Sequence, residues 1–174
     1  VSRYSTLTAA EVALENAKIA DAAAKITALT ANSTVAEIEA AKAAYDALAL
    51  KSKLNFNDEL YAKLVNAVNG VNKIKADAVK ALKLTTKSSA KKGSITVKWT
   101  VKGDASAADG YQVWKSTKQS KGYKKAITTT KKSYKNTKGL KKGTRYYYKV
   151  RAYKVVDGKN VYSDWSNKAY RVAK

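Results

Sequence analysis

The chain of 174 residues is long enough for one large domain or two small ones, and it contains no Cys, His, Met or Pro. The missing Cys and His exclude disulfides, thiolate nucleophiles, imidazole bases and the usual transition-metal ligands. Its 35 basic and 13 acidic side chains give a formal net charge of +22, which favours an anionic partner.

The charge is divided unevenly along the chain. Residues 1–82 hold 10 basic and 9 acidic side chains, whereas residues 83–174 hold 25 basic side chains and four Asp. A helical pattern also gives way to a β pattern near residue 82. We therefore predict two modules, residues 1–80 and residues 81–174, of which the second attracts or tolerates polyanions.

The chain opens at Val1 and holds no Met, so we expect a processed product or a piece of a longer chain. Charge interrupts the longest apolar stretches within a few residues, so no transmembrane run, signal peptide or lipidation signal is recognisable. If the parent protein is exported and anchored, its signals lie outside these residues.

The first helix is predicted over about residues 9–29. Thr8 and Glu11 have the spacing of a capping box, in which each side chain bonds to the backbone of the other residue. The apolar stripe of this helix consists of Val12, Ile19, Ala23, Ile26 and Leu29.

The second and third helices follow the same logic. Thr34 and Glu37 repeat the capping box, and Asn57 caps the third helix after the polar stretch 51–57, which breaks the helical period. The predicted face of the second helix is Val35, Ile38, Ala41, Tyr45 and Leu48. The predicted face of the third helix is Leu60, Leu64, Val68, Val71 and Ile74, unless Gly70 ends it early.

Three amphipathic helices with short connections predict a small antiparallel bundle. Residues 40–48 also resemble the second helix of small three-helix repeats found in surface proteins of Gram-positive bacteria. The resemblance covers about residues 24–75 and consists of apolar spacing and Ala richness. We expect the Ala-rich stripe to form the core of this bundle rather than a binding face.

The second module reads as β-strands with period-2 alternation. The predicted strands are 82–86, 94–101, 110–116, 123–129, 132–136, 144–156 and 160–172. Residues 87–91 are expected to form a turn, and Asp157-Gly158 is a strong two-residue hairpin signal. Seven short strands of this kind predict a two-sheet sandwich and, after the helices, an α+β chain of two modules.

Three segments of this module resemble a fibronectin type III domain: Trp99, Tyr-Gln-Val-Trp at 111–114, and above all residues 140–152. The match spans about residues 83–174. It implies a tyrosine corner built by Leu140, Gly143, Thr144 and Tyr146. It also implies a set of side chains that face the core. That set is Tyr148, Val150 and Ala152. The sequence departs from the family at Lys142, where members often carry Pro, and this loosens the turn.

The carboxylates do not form a catalytic pair. Glu37 and Glu39 face different directions on a helix, and Asp104 with Asp109 is too small a set for a cation loop. No nucleophile elbow or Ser-x-x-Lys context accompanies the abundant Ser and Lys. The sequence thus predicts no catalytic, cofactor-binding or metal site, and a protein that is not an enzyme.

The basic residues after position 82 are 22 Lys and three Arg. Because Lys acts as a point charge and lacks the fork of Arg, this composition predicts loose, salt-sensitive attraction to an anionic polymer. Teichoic acid, anionic host glycan, a membrane surface and non-specifically bound nucleic acid all qualify. The alternative is that Lys blunts sheet edges and keeps the module soluble.

One strand face combines charge with aromatic rings. The residues that alternation places there are Arg145, Tyr147, Lys149, Arg151 and Tyr153. They are our candidate polyanion-binding residues, because such a face stacks on sugars or bases. The competing interpretation is that the exposed Tyr side chains simply pair across to the neighbouring strand.

The resemblances imply a non-catalytic, exported or cell-surface pair of modules for adhesion or wall association, located outside the cell. Its partner would be an anionic polymer or a protein. One alternative is a self-assembling subunit of a surface filament or layer, and thus a homo-oligomer. Another is a C-terminal spacer of a secreted enzyme.

Overall fold

A computed structural model describes residues 8–174 and divides the chain into two compact units, Val1–Lys73 (unit 1) and Ile74–Lys174 (unit 2). This division falls within the last helix, whereas the sequence predicts a boundary at residues 80 and 81, which stays a prediction. Within the described range, no helix is both long and apolar enough to cross a membrane.

The helices of the described residues are α1 (Ala9–Thr27), α2 (Val35–Asp46), α3 (Leu50–Leu54) and α4 (Asp58–Ala81). The first, second and fourth of them begin where local chemistry predicts. Both capping boxes are confirmed: the Thr8 hydroxyl accepts from the Glu11 N–H at 3.2 Å, and Thr34 and Glu37 form the same pair. The Asn57 side chain accepts from the Leu60 N–H at 2.9 Å and caps α4.

The predicted count of three helices is wrong, because α3 begins one residue before the polar stretch 51–57 and extends into it. The suggested early end at Gly70 is also wrong. A side chain at Gly70 would meet nothing within 4 Å, and α4 continues to Val79, which is fully buried in unit 2. A mid-helix Gly costs only about 1 kcal/mol, which burial of apolar side chains beyond it offsets.

The core of unit 1 contains most of the predicted stripes. Its buried members are Ala22, Ile26, Leu29, Ile38, Ala41, Leu48, Phe56, Leu64 and Val71. Phe56 was not predicted; its ring packs edge-on against Tyr45 at 5.2 Å. Val12, Val35 and Ile74 were predicted to be buried but are 44%, 37% and 60% exposed, because each lies at the end of its stripe.

Unit 2 continues with eight antiparallel strands. They are β1 (Lys83–Lys91), β2 (Ser94–Lys102), β3 (Gly110–Ser116), β4 (Lys124–Thr129), β5 (Ser133–Asn136), β6 (Arg145–Val156), β7 (Lys159–Tyr162) and β8 (Ala169–Val172). One sheet has the order β1-β2-β5 and the other β4-β3-β6-β7, with β8 also paired to β6. The predicted two-sheet sandwich is confirmed.

The predicted number of seven strands is wrong, because the last predicted strand is interrupted between β7 and β8. In the gap, the Ser163 and Ser166 hydroxyls accept from the N–H groups of Ala152 and Val150, each at 2.9 Å. Side-chain oxygens therefore replace part of the ladder along β6.

Two turn predictions have opposite outcomes. The predicted turn at residues 87–91 is wrong, because these residues continue β1 and the chain turns at Lys92 and Gly93, where Gly93 has φ +69°. The hairpin turn is confirmed: Asp157 and Gly158 have φ values of 50° and 69°, and they connect β6 to β7.

The outer edge of β1 is closed at Thr86 by the side chain of Asn167. The Thr86 N–H donates to the Asn167 amide oxygen at 2.7 Å, and the Asn167 amide nitrogen donates to the Thr86 carbonyl at 2.9 Å. One side chain thus makes the two bonds that a neighbouring strand would make.

The core of unit 2 is confirmed where the sequence resemblance implied it. Trp99 and Tyr146 are nearly completely buried, and Tyr148, Val150 and Ala152 are fully buried. Val79 and Leu82, which precede the strands, belong to the same core.

The tyrosine corner is also present. The Tyr146 hydroxyl donates to the Gly139 carbonyl at 3.0 Å and accepts from the Lys141 N–H at 2.9 Å, while Leu140 packs against the core. Lys142 in place of Pro therefore does not prevent the corner.

We predict that Tyr146→Phe lowers the free energy of unfolding by about 1–3 kcal/mol, because two backbone groups of the loop lose their partner. Tyr147→Phe on the opposite face is the control and should be nearly neutral. Urea denaturation measures both variants, and equal effects would contradict the role of the corner.

We also predict that a fragment of residues 74–174 unfolds cooperatively and that a fragment of residues 83–174 is less stable by at least about 2 kcal/mol. The shorter fragment lacks Val79 and Leu82, whose side chains are 0% and 1% exposed. Urea denaturation of both fragments tests this. Equal midpoints would show that these two side chains contribute nothing to the sandwich.

Candidate functional site

The five candidate residues lie on one face of β6, as alternation predicts. Arg145 is exposed, whereas Tyr147, Lys149, Arg151 and Tyr153 are half-buried. The intervening side chains point into the core, so the pleat of β6 separates an apolar face from an aromatic and cationic one. We call this outer surface the β6 face.

Arg151 is the most enclosed cation of the β6 face. Its guanidinium carbon lies 3.5 Å from the centroid of the Tyr162 ring and 4.6 Å from that of Trp165. Its Nε and Nη2 atoms donate to the Gln112 amide oxygen at 3.1 and 2.9 Å. Burial lowers the pKa of Arg151, although guanidinium remains charged at physiological pH.

Lys149 is the next cation along the strand. Its ammonium nitrogen lies 4.0 Å from the centroid of Trp165 and 4.6 Å from that of Tyr123. Burial lowers the pKa of Lys149, and the nearby charges of Lys168 and Arg151 act in the same direction. The indole and phenol rings partly compensate for the lost hydration of the ammonium group.

Arg145 lies at the exposed end. Its guanidinium carbon is 5.1 Å from the centroid of Tyr170, and a side-chain hydrogen bond with Tyr147 raises the pKa of Arg145. Tyr147 and Tyr170 are direct cross-strand partners with ring centroids 5.6 Å apart. For this pair, the alternative interpretation of aromatic pairing across strands is confirmed.

Tyr153 does not join the cations. It is in register with Gly110 on one side and Tyr162 on the other. A Cβ atom at Gly110 would lie 3.0 Å from Cε1 of Tyr153, so the ring covers this glycine closely. Tyr153 thus packs over β3, apart from the other four candidates.

The remaining side chains form a cation–π ladder of two groups, one around Arg145 and one around Lys149 and Arg151, in which each cation contacts at least one ring. Its members are Arg145, Tyr170, Tyr147, Tyr123, Lys149, Trp165, Arg151, Tyr162 and Trp114. The ladder joins β6 to β3, β7, β8 and the segment between the last two. The same rings that would stack on a sugar are therefore already in contact with cations.

Five ladder aromatics were not among the predicted site residues: Trp114, Tyr123, Tyr162, Trp165 and Tyr170. The signal that would have found Trp114, Tyr162 and Tyr170 is their place on strands that neighbour β6, but those pairings are non-local. Trp165 lies in the unpredicted break between β7 and β8.

Two aspartates of unit 2, Asp104 and Asp109, bond to nearby backbone and side-chain groups. Asp104 accepts from the Ser106 N–H and hydroxyl, and these bonds lower its pKa. Asp109 accepts from the Lys154 ammonium and the Val155 N–H, which lower its pKa in the same way. Among residues 8–174, no group of three acidic side chains is arranged to hold a metal ion.

Comparisons with known proteins give structural neighbours. No protein-family model and no curated protein match the sequence. An Fn3-like protein from Clostridium thermocellum is 27% identical over 55% of this chain and 95% of its own, with a TM-score of 0.42. A β-1,2-glucanase from Parabacteroides distasonis is 24% identical over 55% of this chain but 13% of its own, with a TM-score of 0.44. The fibronectin type III domain of a human protein is 18% identical over 51% of this chain and 84% of its own, with a TM-score of 0.40.

Unit 2 has a fibronectin type III-like fold, as its two antiparallel sheets and its tyrosine corner indicate. The resemblance of residues 24–75 to bacterial surface-protein repeats stays a hypothesis.

We predict that Arg151→Lys lowers the free energy of unfolding by about 1–2 kcal/mol, because Lys cannot stack its charge on Tyr162 while donating twice to Gln112. The matched control is Arg171→Lys, where the exposed guanidinium donates to the Tyr170 carbonyl, with an expected change within about 0.5 kcal/mol. Urea denaturation measures both. Equal losses would show that the ladder does not stabilise the sandwich.

Proposed function

We propose that this chain is a non-catalytic part of an exported or cell-surface protein and that unit 2 binds anionic polymers in adhesion or wall association. The observation that carries the proposal is the excess of 25 basic side chains over four Asp in residues 83–174. Such an excess attracts polyanions over a range set by ionic strength.

The exposure of the lysines supports this proposal. Almost all Lys side chains of residues 83–174 are exposed, whereas Lys115, Lys149 and Lys154 are half-buried. Of the four Asp, Asp109 and Asp164 form ion pairs with Lys154 and Lys83, each at 2.8 Å. Few negative charges are thus left to neutralise the exposed lysines internally.

The predominance of Lys over Arg also supports an anionic polymer as the ligand. Ammonium groups on flexible stems bind phosphate or sulfate as point charges, without the two-point geometry that selects one stereochemistry. The proposed binding is therefore multivalent, tolerant of sequence and stereochemistry, and driven by release of condensed counterions.

A second candidate function is self-assembly into a surface filament or layer. Leu50 and Leu54 lie four residues apart on α3 and are 74% and 77% exposed, an apolar pair that a neighbouring molecule would cover. Sedimentation velocity over a range of concentrations separates the two functions. Assembly predicts large species that Leu50→Ser/Leu54→Ser abolishes.

For polyanion binding, we predict that the full chain binds poly(glycerol phosphate), heparin and DNA at about 0.05 M salt and loses affinity by about a thousandfold at about 0.5 M. This loss corresponds to about four neutralised anionic groups. Dextran, an uncharged polymer, is the control and should not bind. Affinity that persists at the higher salt concentration would contradict the electrostatic mechanism.

A further inference from the structure

The outer surface of the three-stranded sheet carries a second set of cations. Its residues, which we call the lysine face, are Lys83, Lys87, Lys91, Lys98, Lys102 and Lys135. All six are exposed. The register places Lys87 directly opposite Lys98 and Lys83 directly opposite Lys102.

The opposed lysines of this register repel each other and lower the stability of the sheet. Like charges directly opposite each other on antiparallel strands destabilise the sheet. Protection of a sheet edge accounts for lysines on β1, which is an edge strand. It does not account for Lys98, because β2 is paired on both sides at this position, with Lys87 of β1 and Ser133 of β5.

Hydroxyl groups flank the central lysine pair. The next cross-strand pairs on this face are Thr85 with Thr100 on one side of Lys87 and Lys98, and Ser89 with Thr96 on the other. A shallow hollow lies on each side of the lysine pair, with volumes of about 250 and 220 Å³. Each hollow thus brings together two ammonium groups and hydroxyl donors.

The lysine face is not neutralised internally at its centre. Asp164 bonds to Lys83 at the rim, and Asp109 and Asp104 bond to Lys154 and Ser106 elsewhere. Within residues 8–174, no carboxylate lies within ion-pair distance of Lys87, Lys98 or Lys135. The central cations are therefore open to an external anion.

We propose that the lysine face is the surface through which unit 2 holds a linear phosphate polymer, with phosphate groups over the Lys87 and Lys98 pair and hydrogen-bonded by the flanking hydroxyls. The outward side chains of this face are Lys, Thr and Ser, and Trp99, which lines the larger hollow, is only 3% exposed, so this face offers no open ring for stacking on a base or a sugar. On the β6 face, by contrast, aromatic rings already contact the cations. The inference rests on the proposed function and assigns it to one surface.

The test compares two triple variants of the full chain that lose the same charge. The face variant is Lys87→Gln/Lys98→Gln/Lys135→Gln, and the control variant is Lys121→Gln/Lys142→Gln/Lys159→Gln, whose lysines are exposed elsewhere on unit 2. The probes are poly(glycerol phosphate) and inorganic polyphosphate of equal phosphate number, titrated at several salt concentrations.

The face variant should bind both probes roughly tenfold or more weakly at low salt, with the slope of log K against log salt reduced by about 2–3. The control variant should change affinity by no more than about threefold. A third variant with Arg at the three face positions keeps the charge and should retain binding.

Thermal unfolding separates lost binding from lost folding. Removal of the opposed charges should leave the Tm of the face variant unchanged or raise it. If the Tm of the face variant falls, the single variant Lys98→Gln replaces it. Its affinity for the same probes is then compared with that of the control variant Lys142→Gln.

Three results would overturn the inference. Equal losses in the two triple variants would mean that binding is diffuse, which leaves the proposed function intact. A larger loss in Arg145→Gln/Lys149→Gln would assign binding to the β6 face. Much tighter binding of single-stranded DNA than of polyphosphate would show that bases are stacked. Failure of the unmodified chain to bind any polyanion would instead refute the proposed function itself.

Discussion

The alternation of β6 is the constraint on which the sandwich depends. One face of this strand places Tyr148, Val150 and Ala152 in the core, and the other carries Arg145, Lys149 and Arg151 in the cation–π ladder. A slip of one residue would move cations into the core and phenols out of it. Since β6 pairs with β3, β7 and β8, its register also fixes the positions of three other strands.

The features that the sequence predicts well are those governed by neighbouring residues. The capping boxes, the Asp157-Gly158 turn and the inward set of β6 require only local spacing or period-2 alternation. Local reasoning fails where distant partners decide the structure. Residues 87–91 look like a turn but continue β1, because β2 supplies their hydrogen bonds. The last predicted strand is interrupted where the hydroxyls of Ser163 and Ser166 accept hydrogen bonds from the N–H groups of β6.

The same division applies to the candidate site. The sequence correctly places the five candidate side chains on one face, but it does not reveal the rings that cover them. Trp165 and Tyr162 contact Arg151 only because the chain returns alongside β6. The opposition of Lys87 and Lys98 is hidden for the same reason, since it follows from the register of β1 and β2. The cations of the two sheets therefore have different surroundings. Aromatic rings contact those on the outer face of β6, whereas those on the sheet of β1, β2 and β5 are exposed to solvent.

The contact between Asn167 and Thr86 has a consequence for the chemical ageing of the molecule. Spontaneous hydrolysis of the Asn167 amide would replace its donor nitrogen by an oxygen, which would then face the Thr86 carbonyl oxygen at the present distance of 2.9 Å. Repulsion between these two acceptors would break one of the two hydrogen bonds between Asn167 and Thr86. The Thr86 carbonyl at the edge of β1 would then be free to accept a hydrogen bond from another molecule. Deamidation of Asn167 would thus leave the edge of β1 partly unpaired. The sandwich would then associate more strongly as the deamidated fraction rises with time.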